Sequence, residues 1–282
     1  MSNILLADSG STKTTWAAIT SEGRVLAKAR TEGLNPFFKN TEEIVEILRA
    51  HLLGELPTTS FEAIYFYGAG ATPEKAPIVE MALRQLFEAE YVSVRSDMLA
   101  AARALCLHKP GVACILGTGA NSCSYDGEEM VENVSPLGYI LGDEGSGAVL
   151  GKLFIGALLK NQLPKGLKEE FLNEYETDPA EIIDRVYRKP APNTYLASFS
   201  PFIARRLGLV EVYDLVEEAF RSFIVRNVKQ YEMHSREPVH FVGSVAVHYE
   251  EPLRSACDKE GIKIGRILKE PMDGLIEYHS TK

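Results

Sequence analysis

A strand, a glycine-containing turn, a second strand, a short turn and a third strand follow one another twice along this chain, near residues 4–30 and again near 112–134. In the first copy, residues 4–7 form an apolar run that stops at Asp8-Ser9-Gly10. Residues 14–19 are β-branched and apolar, Ser21-Glu22-Gly23 makes a turn, and 24–30 alternate. In the second copy, residues 112–116 run into Gly117-Thr118-Gly119, 121–125 continue as a strand, Asp126-Gly127 marks a hairpin and 130–134 form a third strand. A repeated antiparallel meander predicts two related domains facing each other across a cleft.

The rest of the chain predicts helices over 41–54, starting at a Thr41 cap, and over 75–90 and 98–107. Strands are expected at 63–67 and 91–95. From 143 to about 233 the pattern is helical, broken near Pro164, Pro179, Pro190 and Pro192. A strand at 239–242, a helix at 252–259, a strand at 262–267 and a short terminal helix follow. Alternating strands and helices imply an α/β protein with mixed sheets.

The length of 282 residues suits two domains, and a hydrophobic content of 45% is enough for two cores. A net charge of -9 argues against nucleic acid and anionic membranes as main partners. An anionic nucleotide stays compatible, because backbone N–H groups and a metal ion make a site locally positive. The four cysteines, Cys106, Cys114, Cys123 and Cys257, form no C-x-x-C pair. They predict buried thiols in a reducing cytoplasm rather than a zinc site. No signal peptide is read at the N-terminus, and no uncharged apolar run reaches the roughly 20 residues that span a membrane. A cytoplasmic location is expected.

Five segments carry candidate chemistry. Asp8-Ser9-Gly10-Ser11-Thr12-Lys13-Thr14 puts an acid at the end of a buried strand beside a small-residue turn. Gly10 lets the backbone approach a phosphate, Ser11 and Thr12 can donate to its oxygens, Lys13 can approach it, and Asp8 can associate with Mg²⁺. The segment is not a G-x-x-x-x-G-K-[ST] loop, and alone it reads equally as a polar β-turn. Gly117-Thr118-Gly119-Ala120-Asn121 follows its strand in the same way. With Ser122 where a dinucleotide fingerprint needs glycine, it reads as a phosphate-gripping hairpin or a plain glycine turn. Asp97, after Ser96, is either a helix cap or a carboxylate at the sheet edge able to take a proton from an attacking hydroxyl. In Gly142-Asp143-Glu144-Gly145-Ser146-Gly147, either acid could cap the next helix, or bind a sugar diol through its two acceptor oxygens. Val242-Gly243-Ser244-Val245 ends a strand with no side chain at Gly243, where an adenosine ring could slide past.

Taken in order, Asp8 to Thr14, Gly33-Leu34-Asn35, Ser96-Asp97, Leu116 to Asn121, Leu141 to Ser146 and Val242-Gly243-Ser244 resemble the N-acetylglucosamine kinase family. That family is placed in the BadF-type ATPase group of the acetate-and-sugar-kinase/Hsp70/actin superfamily. The resemblance implies an α/β fold of two ribonuclease H-like (actin/hexokinase-type) domains around a nucleotide cleft. The expected domains are residues 1–108 and a nucleotide-binding domain over 109–270 with a helical insertion. A terminal helix over about 271–282 is a candidate to pack back on the first. It implies ATP and Mg²⁺ as cofactors, with Asp8 as the metal-associated acid and Gly10, Ser11, Thr12 and Lys13 by the phosphates. Thr118 and Gly119 would grip phosphate, and Gly243 and Ser244 would border adenosine. Asn35, Asn121 and Asp143 would bind the amino sugar, and Asp97 would be the catalytic base for its 6-hydroxyl.

Leu137 stands where the family carries a tryptophan in the sugar pocket, so N-acetylmuramic acid and glucosamine stay open beside N-acetylglucosamine. The only tryptophan, Trp16, reads as a core or edge residue. Two other classes remain: an ATPase that activates an acyl-CoA dehydratase, for which the cysteines are poorly placed, and a nucleotide-binding regulator, for which no DNA-binding extension is visible. The expected partners are small molecules, an amino sugar and ATP, with a homodimer as the candidate assembly.

Overall fold

Near-continuous burial along β1 (Asn3–Ser9) and β2 (Lys13–Thr20) marks strands covered on both faces, and they build the first sheet around a buried Trp16. The structure is a computed structural model that describes residues 3–10 and 12–280. β3 (Val25–Glu32) completes an antiparallel meander. The chain then passes through α1 (Thr41–His51), β4 (Ser60–Gly68), α2 (Ala76–Leu86), β5 (Glu88–Ser96) and α3 (Asp97–Cys106). β4 and β5 join parallel to β1, in the order β3-β2-β1-β4-β5.

The second sheet contains β6 (Gly111–Leu116), β7 (Ala120–Tyr125), β8 (Met130–Glu132), β9 (Val239–Val242) and β10 (Ile264–Leu268), in the order β10-β9-β6-β7-β8. β6 is antiparallel to β7 and parallel to β9, which is parallel to β10. Counted within each sheet, both have strand order 3-2-1-4-5. This is the ribonuclease H-like topology, and it explains the repeat read in the sequence. Two compact units result. One holds Met1–Lys109, Asp126–Met130 and Glu270–Lys282; the other holds Pro110–Tyr125 and Val131–Lys269.

In the first unit, Leu5, Ala7, Trp16, Ala18, Ile64 and Phe66 join the core with residues of α1 and α2. Trp16 is fully buried there, and its indole N–H donates to Thr31 Oγ1 at 3.1 Å. Alternation turns Asp8 away from that core, towards the face that carries α3. The terminal helix Met272–Ser280 packs on α3. Gly274 permits this approach, since a Cβ there would lie 2.4 Å from the Ala104 carbonyl oxygen. In the second unit, helices including Val210–Arg226 enclose a separate core with β6 and β9. All four cysteines are buried. Among the described residues, no helix is long and apolar enough to cross a membrane.

Three local expectations are corrected. The helix foreseen over 75–90 stops at Leu86, because residues from Glu88 pair with β4 from Ser60 onward. Pairing in the sheet overrides the helical propensity of Glu88 and Glu90. Thr41 is not the cap of α1. Asn40 takes that role, its side chain accepting from Glu43 N while Glu43 accepts from Asn40 N. The strand foreseen over 130–134 ends at Glu132.

Candidate active site

Asp8 and Asp97 come to the same edge of the first sheet because β1, β4 and β5 run parallel. Ser9 is in register with Gly68, and Gly68 with Ser96. The two acids thus stand at the ends of strands separated only by β4, Asp8 one residue before the end of β1 and Asp97 just after β5, with the strands about 10 Å apart. Ligands of α/β proteins gather at such carboxyl edges.

Asp97 is the first residue of α3 rather than its cap. Ser96 caps the helix, its Oγ accepting from Leu99 N at 3.3 Å. The Asp97 carboxyl is therefore not consumed by capping. Burial raises it above the usual aspartate range, against the lowering effect of the Met98 and Asp97 N–H groups. Burial also pushes Asp8 up to about 7; Asp97 and Glu270 add to the rise, and Lys13 opposes it.

Ser9 organises this edge. Its Oγ bonds Thr14 Oγ1 at 2.8 Å and accepts from Leu34 N at 3.1 Å, and its carbonyl accepts from Ala69 N at 2.8 Å. These bonds tie the loops bearing Asn35 and Gly70 to the strand that bears Asp8. The Asn35 Oδ1 accepts from Phe37 N at 2.9 Å, and its Nδ2 has no protein partner among the described residues. Ser9 was a motif letter in the sequence, not a site residue. Its neighbours at positions 34 and 69 are remote in the chain, so no local signal marked its role.

Gly10 and Lys13 close the β1–β2 turn, with Gly10 N donating to Lys13 O at 2.9 Å. A Cβ on Gly10 would meet nothing nearer than Lys13 O at 3.7 Å, so packing does not demand glycine there. Thr12 is exposed. Ser11 lies outside the described residues. The Lys13 ammonium pairs with Glu270 at 2.6 Å.

In the second unit, Gly117 N donates to Gly119 O at 2.9 Å, making the tight turn that exposes Thr118. The first N–H groups of α5 (Gly147–Leu159) fasten that turn: Gly147 N donates to Gly117 O at 2.8 Å and Ala148 N to Thr118 O at 3.1 Å. Asp143 bonds the far side of the turn, its Oδ1 accepting from Ala120 N at 3.2 Å. Neither Asp143 nor Glu144 caps α5. Ser146 does, its Oγ accepting from Val149 N at 3.2 Å. Glu144 pairs instead with Arg226 at 3.0 Å. Asp143 has a positive φ of 53°, and burial raises its carboxyl, with Ala120 N–H opposing, Glu144 adding and Lys152 opposing.

The Asn121 Oδ1 accepts from Ser122 N and from Asn133 Nδ2, both at 2.9 Å. Gly243, at φ 130°, is forced by a close approach, because a Cβ would lie 2.1 Å from the Leu116 carbonyl oxygen. Ser244 beside it is exposed. The structure thus brings Thr118, Gly119, Asn121, Asp143 and Gly243 to the end of β6 in one unit, and Asp8, Gly10, Asn35 and Asp97 to the end of β1 in the other. Leu137 is 58% exposed with φ 61°, on the turn before the short helix α4 (Gly138–Leu141).

Among the described residues, no three His, Cys, Asp or Glu side chains form a ready metal cluster. Asp8 nonetheless suits association with Mg²⁺. It is a hard oxygen donor whose charge is costly beside Asp97 and Glu270 until a cation compensates it. Magnesium commonly takes one or two carboxylates and completes its shell with phosphate and water.

No family model matches the chain, and no curated protein matches its sequence. A provisionally named N-acetylglucosamine kinase from Porphyromonas gingivalis is 53% identical over 99% of both chains, with a TM-score of 0.93. Another protein of that provisional name, from Chromobacterium violaceum, is 18% identical over 99% of both chains, with a TM-score of 0.77. A ROK family glucokinase from Streptomyces griseus, solved with glucose and AMPPNP, is 15% identical over 98% of both chains, with a TM-score of 0.61. The last two speak to the fold alone.

Proposed function

Because the chain belongs to the N-acetylglucosamine kinase family, we propose that it transfers the γ-phosphoryl group of ATP to the 6-hydroxyl of N-acetylglucosamine. The carrying observation is the 53% identity over 99% of both chains to a protein that bears that name. The chemistry at the sheet edges supports it. A buried carboxyl whose affinity for protons is raised and whose helix is capped by a neighbour suits a general base, and Asp97 meets both conditions.

In the proposed reaction the sugar O6 forms a bond to the γ-phosphorus as the bond from that phosphorus to the β,γ-bridging oxygen breaks. Asp97 takes the hydroxyl proton, and ADP leaves. Magnesium, when bound with ATP, would neutralise charge on the phosphates. Asp8 is assigned to hold it, and the Gly10–Lys13 turn is assigned to the phosphates, with Ser11 and Thr12 as hydroxyl donors. Thr118 and Gly119 are assigned to phosphate, Gly243 and Ser244 to the adenosine. Asn35, Asn121 and Asp143 are assigned to sugar hydroxyls and the acetamido group. Most of the rate enhancement would come from positioning and charge stabilisation.

The test is ADP release, coupled to a spectroscopic readout, with N-acetylglucosamine, N-acetylmuramic acid, glucosamine, N-acetylmannosamine and glucose. N-acetylglucosamine should give the highest kcat/KM. If no sugar stimulates ADP release, the proposal fails; if N-acetylmuramic acid or glucosamine leads, the substrate assignment passes to that sugar.

A further inference from the structure

Two consecutive phenylalanines follow Asn35-Pro36, and both are exposed: Phe37 to 57% and Phe38 to 81%. Scattered exposed apolar side chains are ordinary. Phe37 differs in being held. Its N–H donates to Asn35 Oδ1 at 2.9 Å, and the Lys75 ammonium sits 5.5 Å from its ring centroid. Gly70, at φ 78°, packs so closely that a Cβ would lie 2.9 Å from Phe37 Cδ2 and 2.3 Å from Asn35 Oδ1. Among the described residues, no ring or cation holds Phe38 in this way.

The loop bearing both groups is anchored to Ser9 through Leu34 N, next to Asp8. A fixed amide donor, Asn35 Nδ2, therefore stands beside a fixed and half-open aromatic face at the sheet edge that carries the two acids. A pyranose needs this pair: polar groups for its rim of hydroxyls and a flat apolar surface for the C–H groups of its face. We infer that Phe37 is the platform on which the sugar ring rests, and so a specificity-determining residue. The inference rests on the sugar-kinase reading above. Asn35, whose Oδ1 is already engaged by Phe37 N, offers its donor to a sugar oxygen.

The experiment compares Phe37→Ala, Phe37→Trp and Phe38→Ala with the wild-type full chain, varying sugar at saturating ATP and then ATP at saturating sugar. Phe37→Ala should raise the sugar KM about tenfold or more, with kcat within about threefold and the ATP KM unchanged. Phe37→Trp should bring the sugar KM back to within about threefold of wild type, and Phe38→Ala should behave as wild type. Being exposed, Phe37→Ala should melt within about 2 °C of wild type, which excludes misfolding as the cause. An unchanged sugar KM in Phe37→Ala, or a rise in the ATP KM alone, overturns the inference.

Calorimetric titration with N-acetylglucosamine separates this from the failure of the kinase reading. If turnover is absent, wild-type binding that is lost in Phe37→Ala supports the platform. Equal binding in both proteins, or none by the wild type, refutes it.

Discussion

The Asp143 carboxylate accepts a hydrogen bond from the main-chain N–H of Ala120 at 3.2 Å, which ties the loop before α5 to the Gly117–Gly119 turn. The acid that the sequence offered as a sugar ligand is thus also a brace for the proposed phosphate turn. Asp143→Ala leaves the Ala120 N–H without its acceptor and should cost about 1–2 kcal/mol, read as a lower melting temperature. Asp143→Asn keeps an acceptor and should melt near wild type, yet raise the sugar KM by losing a doubly accepting carboxylate. Equal sugar KM values for Asp143→Asn and wild type would remove Asp143 from the sugar site.

Asp97→Asn should lower kcat by about 10²–10⁴-fold, the usual contribution of a positioned base. The sugar dissociation constant, measured by calorimetry, should stay within a few-fold of wild type. Turnover close to wild type would exclude Asp97 as the base.

Asp8 links stability to pH. Its ordinary value is 3.8 and its folded value about 7, raised first by burial and then by Asp97 and Glu270. Between those values the folded chain holds a proton that the unfolded chain has released. Stability without ligands should therefore fall as pH rises from about 4 to about 7, then level off. Asp8→Asn should make this part of a series of urea melts shallower, leaving the smaller slope to which the raised Asp97 and Asp143 carboxyls contribute, and a slope as steep as that of the wild type would refute the assignment to Asp8.

Gly10 and Gly243 should respond oppositely to alanine. Gly243→Ala puts a Cβ 2.1 Å from Leu116 O at φ 130° and should cost about 2 kcal/mol or more in denaturant unfolding. Gly10→Ala meets nothing within 3.7 Å, so stability should change by less than about 1 kcal/mol while the ATP KM rises. A Gly10→Ala variant with unchanged ATP KM would show that the turn does not approach phosphate.

Much of the architecture was legible in the sequence because its signals are local. A buried strand that stops at a glycine or small-residue turn is written in a handful of adjacent residues. The pattern at Asp8-Ser9-Gly10 and Gly117-Thr118-Gly119 matched strands that end where expected. Competition between neighbours for one role was harder to read. Ser96 and Asp97 could each cap α3, and Asp143, Glu144 and Ser146 could each cap α5. In both helices the serine takes the cap and leaves the acids to other partners.

The sequence by itself determined the approximate place of each strand, though not the limits of β5 and β8, where the glycine turns lie, and that the pattern comes twice. Each of these depends on the periodicity and torsional freedom of residues within a few positions. Only the tertiary structure decided that Asp8 and Asp97, far apart in the chain, share one sheet edge. That follows from parallel pairing through β4, a long-range register no local pattern carries. Only the fold, too, raised their proton affinity, because burial is a property of the packed chain. Ser9 gained its place as the anchor of two loops in the same way, through Leu34 and Ala69, which are brought to it by folding.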